Sequence, residues 1–445
     1  MKNLTRMLKE PGSLALADQC VLSGTNFLTL LFVSRQVTAD QFGRFSLAAL
    51  GLLFLANAHR AIVTQQLNLL GASEDASGLS TRIATLLRAH AVIIPVSIAI
   101  LGALCIRFFP DMRLFAGASC YLAFFMLQET LRRYWYTVGR IDRAFANDLI
   151  TYGGRLAILF SISFFTVVSG STVFLIMAAT SLIAFIAGLP IVDIARTVTM
   201  ARMREVVAQH ATTSGWLVLT VLAMWGATQL YPFLIEPLGA TAIALFVASR
   251  NLLNAIGIAV QSAGNYLPTR AAKLLHEQGP AGFRRHLLQT LLNATIVSIV
   301  FILPMLVFAT PILEVMYAGR YNDAAPVLRM LSIGIFFALV GTVLGAYALA
   351  LQDARSNFLS NLGATAFTFT GGLWLIHAYG LTGAAVGGCL SVAIATVLQG
   401  AFVWSGIRRL EEADSGHGTT VSPRTGSDSP IRVQPERSIR TGADA

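Results

Sequence analysis

Charge is what this chain has least of. Asp, Glu, Lys and Arg make up 12% of its 445 residues and hydrophobic residues 55%, whereas soluble domains carry roughly a quarter charged residues. That shortage excludes a set of ordinary soluble domains. Cysteine is also scarce: Cys20, Cys105, Cys120 and Cys389 lie far apart, in or beside apolar runs, with no CxxC pair. They read as small buried hydrophobes rather than a disulfide frame. No HExxH or similar spacing occurs, and His59, His90 and His377 are isolated from one another along the chain, so no metal is implied. A Walker loop, a DxD pair and a GxSxG elbow are all missing, which leaves no cofactor and no ATP-driven or hydrolase chemistry to argue for. The net charge of +10 invites a nucleic-acid partner. Its basic residues are instead scattered between apolar spans with no DNA or RNA module around them, so none is expected.

What the chain does have is apolar runs of membrane-crossing length, almost end to end. About 20 apolar residues of helix cross the hydrocarbon layer. The runs and their charged flanks predict twelve spans, near 14–34, 45–70, 84–106, 113–131, 149–169, 172–194, 213–236, 240–267, 287–309, 326–351, 357–377 and 383–405. Pro95, Pro190, Pro232 and Pro304 fall inside spans and are expected to kink them. The N-terminal run is broken by Asp18-Gln19 and has no small-x-small cleavage site; it reads as a first span rather than a cleaved signal. Lys and Arg concentrate on one side, as in Arg132, Arg133, Arg140 and Arg143 or Arg270, Lys273, Arg284 and Arg285. The opposite loops hold few, among them Arg35, Arg44, Arg107 and Arg320. By the positive-inside rule both termini are cytoplasmic.

The fold class expected is therefore an all-α polytopic membrane protein. The loop 196–212 divides it into an N-terminal lobe, 1–195, and a C-terminal lobe, 213–406, of six spans each. A weak internal echo agrees: Gln41-Phe42-Gly43 precedes span two and Pro237-Leu238-Gly239 precedes span eight. Two six-helix halves are a common transporter design, with the substrate site between them. The tail 407–445 is rich in Ser, Gly, Thr, Pro and Arg and reads as a disordered cytoplasmic segment. No loop is long enough to fold as a domain, so any chemistry belongs inside the bundle.

Two arginines stand within spans among amides. In span two Asn57, Arg60, Thr64 and Asn68 share one helix face; in span eight Arg250, Asn254, Gln261 and Asn265 do the same. A charge at the bilayer centre costs about 3 kcal/mol or more, so such rows face other helices or a water-filled cavity. For a single amide, helix-to-helix contact worth about 0.6 kcal/mol is sufficient reason. A continuous row headed by arginine favours a cavity lining, and the planar guanidinium suits diphosphate or carboxylate. Arg155, with Asp148 and Tyr152 on the preceding turns, and the deep carboxylate Asp18 are further candidates. Asp18 reads equally as an ion-coupling site and as a structural salt bridge.

Several segments carry a family resemblance. Ala17-Asp18-Gln19, Ser23-Gly24-Thr25-Asn26-Phe27, Gln41-Phe42-Gly43, Leu131-Arg132-Arg133-Tyr134-Trp135-Tyr136, Ala144-Phe145-Ala146-Asn147-Asp148, Ala248-Ser249-Arg250-Asn251-Leu252 and Tyr317-Ala318-Gly319-Arg320-Tyr321-Asn322-Asp323-Ala324-Ala325 are the segments concerned. They resemble bacterial polysaccharide transport proteins, the O-antigen and exopolysaccharide flippase-like members of the MATE-related MOP superfamily. The resemblance implies two lobes around a central cavity, and a lipid-pyrophosphate-linked oligosaccharide as cargo. It also implies residence in the bacterial inner membrane beside the polymerase and glycosyltransferase machinery of polysaccharide assembly. On that footing the chain is a transporter and not an enzyme, Arg60 and Arg250 would meet the pyrophosphate, and amides would meet sugar. An ion-coupled small-molecule or multidrug antiporter on the same fold is the alternative. Aligning Gly43 with Gly239 sets Arg60 opposite Ile256. That register places the two arginines roughly 10 Å apart in depth and suggests a staggered pair rather than one clamp.

Overall fold

The computed structural model describes residues 11–416 apart from Ala72, Arg196, Ala255 and Ile256. Twelve long helical rods follow one another among the described residues. They are α1 (Pro11–Gln36), α2 (Ala39–Gly71), α3 (Ala76–Phe108), α4 (Met112–Thr137), α5 (141–163), α6 (Gly170–Gly188), α7 (Met200–Thr228), α8 (Ala240–Leu253, resuming at 257), α9 (280–307), α10 (Ala325–Ala350), α11 (354–379) and α12 (381–416). Among the described residues, seven helices are long and apolar enough to cross a membrane, or eight if the bent α7 counts as one. Two of those seven, Tyr266–Val307 and Arg355–Glu412, are folded back on themselves at Gly279 and Gly380, whose φ of 65° and 58° only glycine adopts cheaply.

Local chemistry sets the helix starts. Thr38 and Gln41 form a reciprocal capping box at α2, and Asp75, Asp111, Ser169 and Thr199 cap α3, α4, α6 and α7 through their side-chain oxygens. Two of the four span prolines act differently from expectation. Pro95 and Pro304 lie within helices, but Pro190 and Pro232 occupy short turns just beyond α6 and α7. Each of those two sits near the start of its own short turn, where the missing N–H costs nothing. The helix α12 continues through Gly416, past the expected tail boundary at 407; residues 417–445 lie outside the described residues.

The first six helices pack chiefly with one another, through α4 against α6, α3 against α4 and α1 against α5. The last six do likewise, through α9 against α10, α10 against α12 and α7 against α11. Between the groups the main contact is α2 against α8. Helix α7 touches both: Gln209 accepts from Arg82 and His210 meets the Ile62 carbonyl, while farther up Trp216 packs on Phe358 and the Ala223 carbonyl accepts from Thr365. Large apolar side chains such as Ile106, Phe165, Val167 and Val315 remain outward-facing, as a lipid-bathed surface requires.

Candidate functional site

A cavity of about 420 Å³ opens where the two groups of helices face each other. It brings Arg60 and Asn57 from α2, Arg155 from α5, and Arg250 and Asn254 from α8 onto one wall set, with Asn26 from α1 and Gln229 beyond α7. The sequence placed five of these as candidates without showing that they converge. The sixth cavity candidate, Gln261, has its side chain outside the described residues.

Backbone irregularities aim two of the arginines. Arg60 opens a five-residue π-helical turn, Arg60–Thr64, and Arg155 follows another, Leu149–Gly153. Such turns rotate the succeeding side chains relative to an ideal helix and recur at functional sites.

Charge is the cavity's main property. Its described lining holds three guanidinium groups and one carboxylate, Glu129. Glu129 is already engaged by Arg133 at 2.9 Å and Arg132 at 3.3 Å. No carboxylate of the described residues lies within ion-pair distance of Arg60, Arg155 or Arg250. Arg250 donates to Gln229 Oε1 at 2.7 Å. Arg155 is fully buried: Nη1 donates to Asn26 Oδ1 at 3.1 Å, while Nε and Nη2 find no hydrogen-bond partner. Tyr152 and Tyr121 flank its guanidinium at 5.0 and 5.7 Å, a cation–π enclosure that offsets part of the lost hydration. A buried, unneutralised guanidinium with two free donor atoms is costly, and an oxyanion would satisfy it in charge and in geometry.

Asp18 lies elsewhere. It is buried in an ion network behind the cavity, where Arg132 Nη2 reaches its Oδ2 at 2.6 Å and the Tyr136 hydroxyl donates to the same oxygen. Arg132 also pairs with Asp148, and so ties α1, α4 and α5 together. The network counts three carboxylates, Asp18, Glu129 and Asp148, against two guanidiniums, and Asp18 Oδ1 has no partner.

Three features escaped the sequence reading. Arg132 was assigned to a cytoplasmic loop, but α4 extends to Thr137 and buries it. Glu129 was overlooked, although its spacing of three and four residues from Arg132 and Arg133 foretells the pairing on one helix face. His59 and His90, isolated in sequence, meet at Nε2–Nε2 3.0 Å. His90 Nδ1 meets the Leu86 carbonyl at 2.7 Å, which in a neutral ring leaves its Nε2 to accept from His59.

One end of the cavity is shut by bonds between the two groups of helices. Arg35 donates to the carbonyls of Val315 and Met316, both at 2.7 Å, and Arg320 donates to the Val37 carbonyl at 3.2 Å. The Tyr321 hydroxyl donates to the Ser34 carbonyl, and Arg107 pairs with Glu236 at 3.1 Å. Beside them Gly43 of α2 approaches the first residue of α8 so closely that a Cβ on it would lie 2.0 Å from the Ala240 carbonyl oxygen. The two loop starts that echo each other in sequence thus meet in space.

No family model matches the chain, and no curated relative does. Solved structures do match, at low identity. One is an inward-facing multidrug resistance MATE family transporter of the MOP superfamily, with TM-score 0.72 and 14% identity over 88% of this chain and 96% of that one. Another is the lipid II flippase MurJ in an inward closed conformation, with TM-score 0.71 and 11% identity over 89% of each chain. An outward-facing MATE transporter scores lower, 0.63, with 12% identity over 92% of this chain and 99% of that one. The fold of this chain is that shared fold.

Proposed function

We propose that this protein carries an amphiphilic cargo with an anionic head, a lipid-pyrophosphate-linked saccharide, across the bacterial inner membrane by alternating access. The observation that carries the reading is Arg155: fully buried, cavity-lining, and holding two unpartnered donor atoms. Arg60 and Arg250 add positive charge to the same chamber. The head group would bind among the three arginines while its lipid tail stays in the bilayer. Of the neighbours, the flippase named for lipid II is the better guide. A cationic drug would face three guanidiniums and one carboxylate that is already paired.

On this reading the shut end, with Arg35, Arg107 and Arg320, faces outside, and the termini face the cytoplasm. The loading state is then the one described. Breaking the contacts of the shut end while closing the other would move the site across, with cation or proton exchange at Asp18 and its neighbouring carboxylates coupling the step. Delivery to polysaccharide polymerase and glycosyltransferase machinery is the corresponding cellular role.

The test is transport of a fluorescent polyprenyl-pyrophosphate disaccharide in proteoliposomes. Arg155→Met, Arg60→Ala and Arg250→Ala should each slow it at least tenfold, with protein levels and melting temperature retained. Unimpaired transport in all three variants would remove the anion site.

A further inference from the structure

A second chamber, of about 430 Å³, lies wholly within the last six helices. It is lined by α7, α8, α10, α11 and α12, is more open than the arginine cavity and shares no lining residue with it. The two adjoin at the end of helix α7, with Thr228 lining one chamber and Gln229, just beyond, the other.

Its chemistry is the opposite of the first. Its described lining holds no charged residue; the polar groups are Thr228, Thr342, Asn357, Asn361, Thr396 and Gln399. The bonding of those groups decides what they have left to offer. Thr228, Thr342 and Thr396 each donate their hydroxyl hydrogen to a carbonyl of their own helix, at 2.8 to 2.9 Å, which leaves oxygen lone pairs. Asn361 Nδ2 is used on Asn357, at 2.8 and 3.0 Å, which leaves its own Oδ1. Gln399 is 4% exposed, and its Nε2 has no partner. That nitrogen points towards Gly345, lying 3.9 Å from where a Cβ on that glycine would be.

The described lining is thus rich in acceptors, has two amide nitrogens left without a bond, Gln399 Nε2 and Asn357 Nδ2, and holds no charged side chain. An anion, which only accepts, finds few donors there and no positive charge. A cation finds no carboxylate. A neutral ligand bearing many O–H and N–H groups finds a partner for each. The volume falls in the range of small-molecule sites, about 300–1,000 Å³.

We propose that this chamber is a binding site for an uncharged, polyhydroxylated ligand, the glycan portion of the cargo, with Gln399 as its central contact. This rests on the transport reading above, and the experiment separates the two. Protein in nanodiscs would be titrated with a tritiated neutral disaccharide, N,N′-diacetylchitobiose, and in parallel with labelled inorganic pyrophosphate.

Saturable disaccharide binding is expected, weakened at least tenfold by Gln399→Leu and by Gly345→Leu, which fills the chamber. Gly345→Ala, whose methyl group meets only ordinary contacts, should bind within twofold of wild type. Arg155→Met should leave disaccharide binding intact and abolish pyrophosphate binding; Gln399→Leu should do the reverse. Disaccharide binding that is absent in wild type, or unchanged in both Gln399→Leu and Gly345→Leu, overturns the glycan site. Pyrophosphate binding unchanged in Arg155→Met overturns the anion site instead.

Discussion

Gly43→Ala is the smallest change that should reset this protein's conformational balance. The added carbon would lie 2.0 Å from the Ala240 carbonyl oxygen, where ordinary contact begins at 3.4 Å, so about 1.4 Å must be found. Neither neighbour is a yielding side chain. Both are main chain in the first turns of α2 and α8, and the capping box at Thr38 pins the approach on one side. The overlap is relieved most cheaply by moving α2 away from α8, which also strains the nearby bonds from Arg35 and Arg320. Overpacking of this kind costs about 1–3 kcal/mol. At tenfold per about 1.4 kcal/mol, the ratio of shut to open forms would fall by about 5- to 140-fold. The assay is labelling of Asn254→Cys, which lines the cavity, by a membrane-impermeant thiol reagent added from outside to right-side-out vesicles. Labelling should rise by that factor in the Gly43→Ala background while far-ultraviolet dichroism stays constant. Equal labelling in both backgrounds would refute the claim that this contact holds the shut state.

Three further outcomes follow from the same geometry. Arg155→Met removes a buried, unneutralised charge, so the melting temperature without ligand should stay level or rise while stabilisation by pyrophosphate disappears; a large fall in melting temperature would make Arg155 structural. Arg132→Met should do the opposite and destabilise by about 3–5 kcal/mol, because it leaves Asp18, Asp148 and Glu129 buried without their shared partner; urea unfolding in mild detergent measures it. Arg35→Ala removes two charge-assisted bonds across the shut end, each worth about 0.5–1 kcal/mol at this solvent-exposed arginine, and should raise outside labelling of Asn254→Cys as Gly43→Ala does, without touching pyrophosphate affinity.

The fold was legible because its signal is coarse. Apolar runs of membrane-spanning length place helices almost regardless of detail, and each expected span corresponds to a long helical rod. Arg60 and Arg250 could be found one helix at a time, since a charge inside an apolar run is conspicuous. Convergence could not, because nothing in the spacing of α2, α5 and α8 says which faces turn inward. Glu129 and Arg132 were hidden by their position at the edge of an apolar run, where charge is cheap and reads as loop. The pairing of His59 with His90 depends on how α2 crosses α3, and the neutral chamber around Gln399 depends on five helices at once. Amides and threonines within spans look alike whether they glue helices or line a space.

Helix α7 has a mechanical consequence. Its lower arm is fastened to the first six helices through Arg82 and Ile62, and its upper arm to the last six through Thr365 and Phe358. A rod clamped to two bodies at different heights acts as a leaf spring. Any rocking must be absorbed in the few residues between the clamps, around Ser214 and Gly215. On the transport reading, bending stiffness at that one place, set by a turn or two of helix, would govern how fast the two bodies exchange positions. A cross-link there would stall the exchange without entering either chamber.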